Sequence, residues 1–152
     1  MPNQKTLILC KPDGVARGLT GEIIARFERR GYTLAAMKLM QLDEARARRH
    51  YAEHEGKPFF DGLVSYITSA PLVAMVIEGA DAIEGCRATI GATNPIKADA
   101  GSIRGDYGQT VARNLVHGSD SAPSAEREIA IFFKPEEILS RPPEGAHWII
   151  ES

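Results

Sequence analysis

The string Asn114-Leu115-Val116-His117-Gly118-Ser119-Asp120-Ser121 puts a histidine at the end of a short apolar run, with small and acidic residues after it. An imidazole of ordinary pKa, about 6.5, is substantially neutral at pH 7 and can act as a nucleophile without a separate base. Gly118 leaves room for a bulky group to approach, and a nearby carboxylate such as Glu128 can orient the second ring nitrogen. The same letters also suit a histidine that is only hydrogen-bonded within the fold, and local sequence does not choose between the two.

A second set of residues could hold an anion. Lys11 follows an apolar run, Arg87 lies in an amphipathic stretch, and Thr93 and Arg104 fall in a segment rich in Gly, Asn, Pro and Asp. Singly, each reads as solvated surface. Together they suit a polyphosphate, since a cation about 4 Å from a phosphate charge is worth roughly 4 kcal/mol at an effective dielectric near 20. Spacing alone does not show that they converge.

A rival chemistry comes from His50-Tyr51-Ala52-Glu53-His54, which matches the H-x-x-E-H pattern of inverzincin metalloproteases with both histidines on one helical face. That chemistry needs a third protein ligand and an open zinc position, and no downstream acidic helix stands out as its source. The chain has no G-x-x-x-x-G-K-[ST] loop, no H-R-D and no D-F-G, so it is neither a P-loop enzyme nor a protein kinase. Phosphate transfer without those loops requires side chains to bind the phosphates. A protein nucleophile then lets one site serve donor and acceptor in turn.

The elements that must position these groups are legible from periodicity. Lys5 to Cys10 reads as a strand ended by a turn at Lys11-Pro12-Asp13-Gly14. An amphipathic helix follows from Leu19 to Arg30, with Ile23, Ile24 and Phe27 on one face and Gly31 as its terminator. Tyr32 to Leu42 reads as a second strand, and Asp43 caps a helix running toward His54. Glu55 to Pro58 breaks it, and Phe59 to Thr68 forms the other arm of a helical hairpin. Leu72 to Ile77 is a buried strand, and Asp81 with Glu84 has capping-box spacing for a helix ending at Gly91. Ala92 to Gly108 reads as a long ordered loop without periodicity. Asn114 to His117 is a short strand, Ser121 to Phe133 a helix, and Trp148 is expected to pin the tail to the body. Strands alternating with helices argue for an α/β or α+β sandwich with helices covering one sheet, its strand pairing open.

Composition bounds the rest. The 152 residues, 43% of them hydrophobic, fit one domain over residues 1–152. With 25% charged residues and a net charge of −2, no dedicated nucleic-acid surface is indicated. The apolar runs fall far short of the roughly 18 residues of a membrane span, and the N-terminus lacks a signal-peptide pattern, so the expected address is cytoplasmic. Cys10 and Cys86 read as buried small apolar residues rather than metal ligands or a disulfide framework.

On these residues the chain resembles the nucleoside diphosphate kinases over nearly its whole length. The resemblance is carried by Thr6 to Gly14, Ala92-Thr93-Asn94-Pro95, Ser102 to Asp106, Asn114 to Ser121 and Trp148-Ile149. It implies a ferredoxin-like βαββαβ fold with a four-stranded antiparallel sheet covered by helices. It further implies transfer of the γ-phosphate of a nucleoside triphosphate, usually ATP, to a nucleoside diphosphate through a phosphohistidine, which maintains NTP and dNTP pools. By that resemblance His117 is the nucleophile, with Glu128 and Ser119 orienting it. Lys11, His50, Tyr51, Arg87, Thr93 and Arg104 meet phosphates and sugar, Asn114 the ribose, and Phe59 and Val111 the base. It implies Mg²⁺ held mainly by the nucleotide's phosphates, with no protein metal ligand, and a homo-oligomer, tetramer or hexamer. Lys97 within Ile96 to Ser102, and the stiff Arg141-Pro142-Pro143-Glu144, depart from the usual family text near subunit contacts. Two other classes compete: a phosphohistidine relay that takes phosphate from a partner protein, and a zinc hydrolase.

Overall fold

The computed structural model describes residues 2–141 and 145–151. Four strands, β1 (Asn3–Cys10), β2 (Thr33–Met40), β3 (Leu72–Ala80) and β4 (Val116–Gly118), form one sheet in the order β2-β3-β1-β4. Every neighbouring pair is antiparallel. The helices are α1 (Pro12–Ala16), α2 (Thr20–Arg29), α3 (Glu44–His50), α4 (Phe60–Ile67), α5 (Ala82–Ile90), α6 (Ile103–Tyr107) and α7 (Ala122–Phe132). This is the ferredoxin-like βαββαβ arrangement, with the α3–α4 hairpin inserted between β2 and β3. The pairing left open by periodicity is thereby decided.

Alternation along the strands divides the core in two. Leu7 and Leu9 of β1 meet Ala74 and Val76 of β3, under Ala47, Val64, Ile67 and Phe132 of α3, α4 and α7. Ile8 and Cys10 point the other way, with Met75 and Ile77, under Ile23 and Phe27 of α2 and Cys86 and Ile90 of α5. A strand covered on both faces has no solvent side, which is why Leu72 to Ile77 is an unbroken buried run. Each such Leu, Ile or Phe contributes about 1.5–3 kcal/mol by leaving water.

Several local expectations give way to tertiary contacts. Pro12 does not close a turn after β1 but opens α1, its fixed φ suiting the first helical position. The Asp81–Glu84 capping box is absent: Asp81 is left-handed (φ 48°) and gives no side-chain cap. Gln4 Oε1 instead accepts the Ile83 N–H at 3.1 Å. The segment from Ala92 to Gly108 contains α6, capped by Ser102 Oγ accepting the Gly105 N–H at 3.0 Å. One helical turn is too short to show a period. Trp148 is 85% exposed, so it does not pin the tail to the body among the described residues. Ile149 packs beside Gly31, where a Cβ would lie 2.7 Å from its Cγ2. The stiff approach ascribed to Pro142, Pro143 and Glu144 lies outside the described residues.

Candidate active site

The site grows from the edge where β4 lies beside β1, with His117 paired to Leu9. Immediately before β4 the chain makes a tight reversal. Leu115 has φ 73°, and the Val116 N–H donates to Asn114 O at 2.8 Å. A γ-turn of this hand is strained, costing a branched residue on the order of 1–3 kcal/mol, and persists only when its surroundings impose it. Here they do. Asp13 Oδ2 accepts the Leu115 N–H at 3.0 Å, and Leu115 O accepts the Lys11 N–H at 2.9 Å. The Arg104 guanidinium donates to Asn114 O (3.1 Å), Val116 O (2.6 Å) and Gly91 O (3.1 Å). One arginine therefore ties the reversal to the end of α5.

His117 Nε2 lies 2.7 Å from Glu128 Oε1, and Ser119 Oγ donates to the same oxygen at 2.8 Å. Ser119 is itself locked to β1, its Oγ accepting the Leu7 N–H at 3.2 Å. Arg127 stands 3.6 Å from the other Glu128 oxygen. With a carboxylate facing it, Nε2 is the protonated ring nitrogen, which leaves the lone pair on Nδ1. Gly118 admits the close approach of α5, since a Cβ there would sit 2.7 Å from Ile90 Cδ1. Arg87 on α5 donates to Gly118 O at 3.0 Å.

His117 opens into a cleft of about 850 Å³. Lys11, Arg104 and Asn114 line its more buried part, His50 and Tyr51 one wall, and Arg87, Thr93, Phe59 and Val111 its exposed part. All the expected site residues thus converge on one cavity, except that Ser119 is fully buried behind Glu128. Lys11 Nζ donates to Asn114 Oδ1, and Asn114 Nδ2 donates to Thr93 O at 3.0 Å. Burial pushes the Lys11 ammonium down to about 8, against the pull of Asp13 and with Arg104 and Arg113 adding repulsion. Burial pushes Arg104 to about 10, so it stays charged at neutral pH. Burial, with His117 next in weight, holds His50 well below the ordinary imidazole range.

The metalloprotease pattern does not assemble. α3 ends at His50, and His54 lies in the following 3₁₀ turn (Ala52–His54), so the two histidines share no helical face. Exposed Glu53 pairs with Arg127 at 3.5 Å.

Sequence reading missed Asp13, Tyr66 and Arg113. The Tyr66 hydroxyl donates to Asp13 Oδ1, and the Arg113 guanidinium stands 4.5 Å over the Tyr66 ring. Tyr66 and Arg113 line the cleft. A signal was present: Phe59, the cap residue before α4, and Leu63 and Tyr66 within it follow i, i+4, i+7 spacing and all line the cavity.

Comparison with known proteins agrees with this geometry. Residues 4–138 match the family described as nucleoside diphosphate kinase. The nucleoside diphosphate kinase of Carboxydothermus hydrogenoformans is 57% identical over 148 residues, covering 97% of this chain and 99% of that protein. That of Chloroflexus aurantiacus is 60% identical over 137 residues, covering 90% and 91%. The solved structure of the Halobacterium salinarum enzyme in complex with CDP superposes with a TM-score of 0.95 at 49% identity, covering 99% of this chain and 100% of that one. The chain belongs to the nucleoside diphosphate kinase family, and its activity is transfer of the γ-phosphate of a nucleoside triphosphate to a nucleoside diphosphate, by a ping-pong mechanism through a phosphohistidine.

Proposed function

We propose that His117 carries the phosphate on Nδ1. The supporting observation is the pairing of Nε2 with Glu128, itself held by Ser119, which leaves the other nitrogen free toward a cationic cleft. In the first half-reaction the Nδ1 lone pair forms a bond to the γ-phosphorus. The bridging P–O bond breaks, and its electron pair leaves on the nucleoside diphosphate. The ring becomes cationic, and Glu128 stabilises that charge through Nε2–H. The second half-reaction is the reverse with a different acceptor.

Lys11, Arg87, Arg104 and Thr93 hold the phosphates, with the Tyr51 hydroxyl and His50 completing the wall. Asn114, gripped by Lys11, meets the ribose. Phe59 and Val111 sandwich the base, worth roughly 1–3 kcal/mol per stacked base whatever its identity. A relay protein has no use for such a platform. The Halobacterium salinarum relative binds CDP, and nucleoside diphosphates are proposed to enter the same cleft here.

The kinase works on nucleotide with a divalent cation, proposed to be Mg²⁺. Among the cleft carboxylates Glu128 is already engaged by His117 and Ser119, which fits a cation carried by the phosphates and met, through its waters, by Asp120. Mg²⁺ there neutralises phosphate charge. Residues 1–152 are read as one catalytic domain, since both cores share one sheet. A homo-oligomer, tetramer or hexamer, is proposed because edge strand β2 exposes Met37 and Leu39, an open pairing surface whose occupancy sedimentation velocity reads. No helix among the described residues is long and apolar enough to cross a membrane. A cytoplasmic setting is proposed on the two free, buried cysteines.

Mixing the protein with ATP and Mg²⁺, without acceptor, tests the nucleophile. ADP should appear at one per chain, with a mass gain of one phosphate mapping to His117. Phosphate found on another residue would overturn the assignment.

Lys11 gives a pH signature. Its charge is present below about 8 and lost as pH rises through that value, and a bound polyphosphate raises the pKa again. Nucleotide affinity should fall by up to about tenfold per pH unit above 8, with proton uptake on binding. Calorimetry at pH 8.5 in buffers of different ionisation enthalpy measures it. In Lys11→Met the uptake should vanish.

A further inference from the structure

His50, the first histidine of the failed metalloprotease pattern, has joined a different set. Its ring centroid is 4.6 Å from that of His117, with the planes at 82°. Glu128 Oε1 lies 2.7 Å from His117 Nε2. One donor atom from each of His50, His117 and Glu128 falls within 4.8 Å of the others. The three come from α3, β4 and α7, so no sequence pattern announces them. His50 is 4% exposed, and its Nδ1 has no hydrogen-bond partner among the described residues. A buried polar atom left so is costly, and its ordinary remedies are a hydrogen bond, a water or a metal.

Two imidazoles and one carboxylate are the donor set of open zinc sites, whose fourth position takes water. Tetrahedral donors at zinc distances stand roughly 3.3 Å apart, so side-chain shifts of about 1.5 Å or less assemble the triad. The cleft around it is cationic, with Lys11, Arg87 and Arg127 on its lining. That environment repels a hard cation such as Mg²⁺ when no phosphates are present, since Mg²⁺ prefers oxygen and releases water reluctantly. A borderline-soft ion of the same charge gains more from imidazole nitrogen than Mg²⁺ does.

We infer that the nucleotide-free enzyme binds one Zn²⁺ through His50, His117 and Glu128, and that this binding blocks phosphate acceptance. The block follows from proton placement. A neutral imidazole has a single lone pair. If Nε2 gives that pair to the metal, the ring proton moves to Nδ1, which ceases to be a nucleophile. If Nδ1 binds the metal, the nucleophile is occupied outright. No redox step is involved, and the metal leaves by exchange with a chelator. The inhibitory effect rests on His117 being the nucleophile; the binding site does not.

The test is calorimetric titration of the nucleotide-free, metal-free protein with ZnCl₂, with MgCl₂ as the comparison. One Zn²⁺ per chain should bind, and Mg²⁺ should not compete for it. His50→Phe keeps an aromatic ring against Tyr51 and Phe132, and its thermal melt checks that it folds. That variant, and separately Glu128→Gln, should bind Zn²⁺ at least tenfold more weakly. His54→Phe, which alters the other histidine of the pattern, should bind normally. Enzyme phosphorylated beforehand with ATP and then desalted should lose the site, and Zn²⁺ bound first should suppress the ADP burst until chelator is added. Zn²⁺ binding that is absent, or equal in the parent and in His50→Phe, would overturn the inference. Binding confined to the triad, with phosphate mapped away from His117, would uphold the metal site and sink the nucleophile assignment instead.

Discussion

Replacing His117 with glutamine should abolish phosphate transfer, by about 10⁴-fold or more, while leaving a folded, nucleotide-binding protein. Glutamine can still donate an N–H toward Glu128, so the carboxylate held by Ser119 keeps a partner and no buried charge is orphaned. What glutamine lacks is a nitrogen lone pair. The nucleotide contacts proposed for Lys11, Phe59 and Asn114 remain, so the dissociation constant for a nucleoside diphosphate should move by less than about threefold. His117 is only partly buried, at the mouth of a cleft, and the melting temperature should shift by no more than a few degrees. Three measurements check this: coupled-assay turnover, intact mass after ATP treatment, and a thermal melt. Turnover within tenfold of the parent would show that another residue carries the phosphate.

The second large effect is expected at Arg104, for a reason unlike that at the other cations. Its guanidinium is buried and donates to three backbone carbonyls, two of them flanking the strained residue Leu115. Arg104→Ala removes all three charge-assisted bonds at once, and the freed carbonyls and the γ-turn should together cost roughly 3 kcal/mol of stability. The reversal then relaxes, moving both Asn114 and His117, so kcat should fall about 10²- to 10³-fold in addition to any weakening of nucleotide binding. Arg104→Lys should rescue little, because one ammonium cannot span three diverging acceptors. Urea unfolding and steady-state kinetics separate the two effects. If Arg104→Ala unfolded like the parent and only KM rose, Arg104 would be an ordinary phosphate contact and the positioning role would fall.

Arg104 also shows why the site was only partly legible. From sequence it ranked with Lys11, Arg87 and Thr93 as a cation that suits phosphate. Nothing in its neighbours indicates that it holds a backbone reversal ten residues further on. Ser119 is the opposite case: its letters place it beside the histidine, but only the sheet puts it behind the carboxylate, bonded to Leu7. His50 looked like half of a zinc motif, and the end of α3 at that residue separated it from His54 and set it against His117. Trp148 was expected to pin the tail to the body, yet it is exposed and Ile149 takes the contact with Gly31.

The amino-acid sequence alone determined the strands, most of the helices and the chemical alphabet of the site. Those follow from short-range effects: the two- and 3.6-residue periods of apolar side chains, the φ preferences of proline and glycine, and the intrinsic nucleophilicity of imidazole. The tertiary structure alone decided which of those groups meet. His117 lies beside β1 because residues more than a hundred positions apart share a register. The reversal at Leu115 exists because Asp13, Lys11 and Arg104 hold it there. Register and enforced strain depend on the simultaneous packing of every element against the sheet, and no local stretch of residues encodes that.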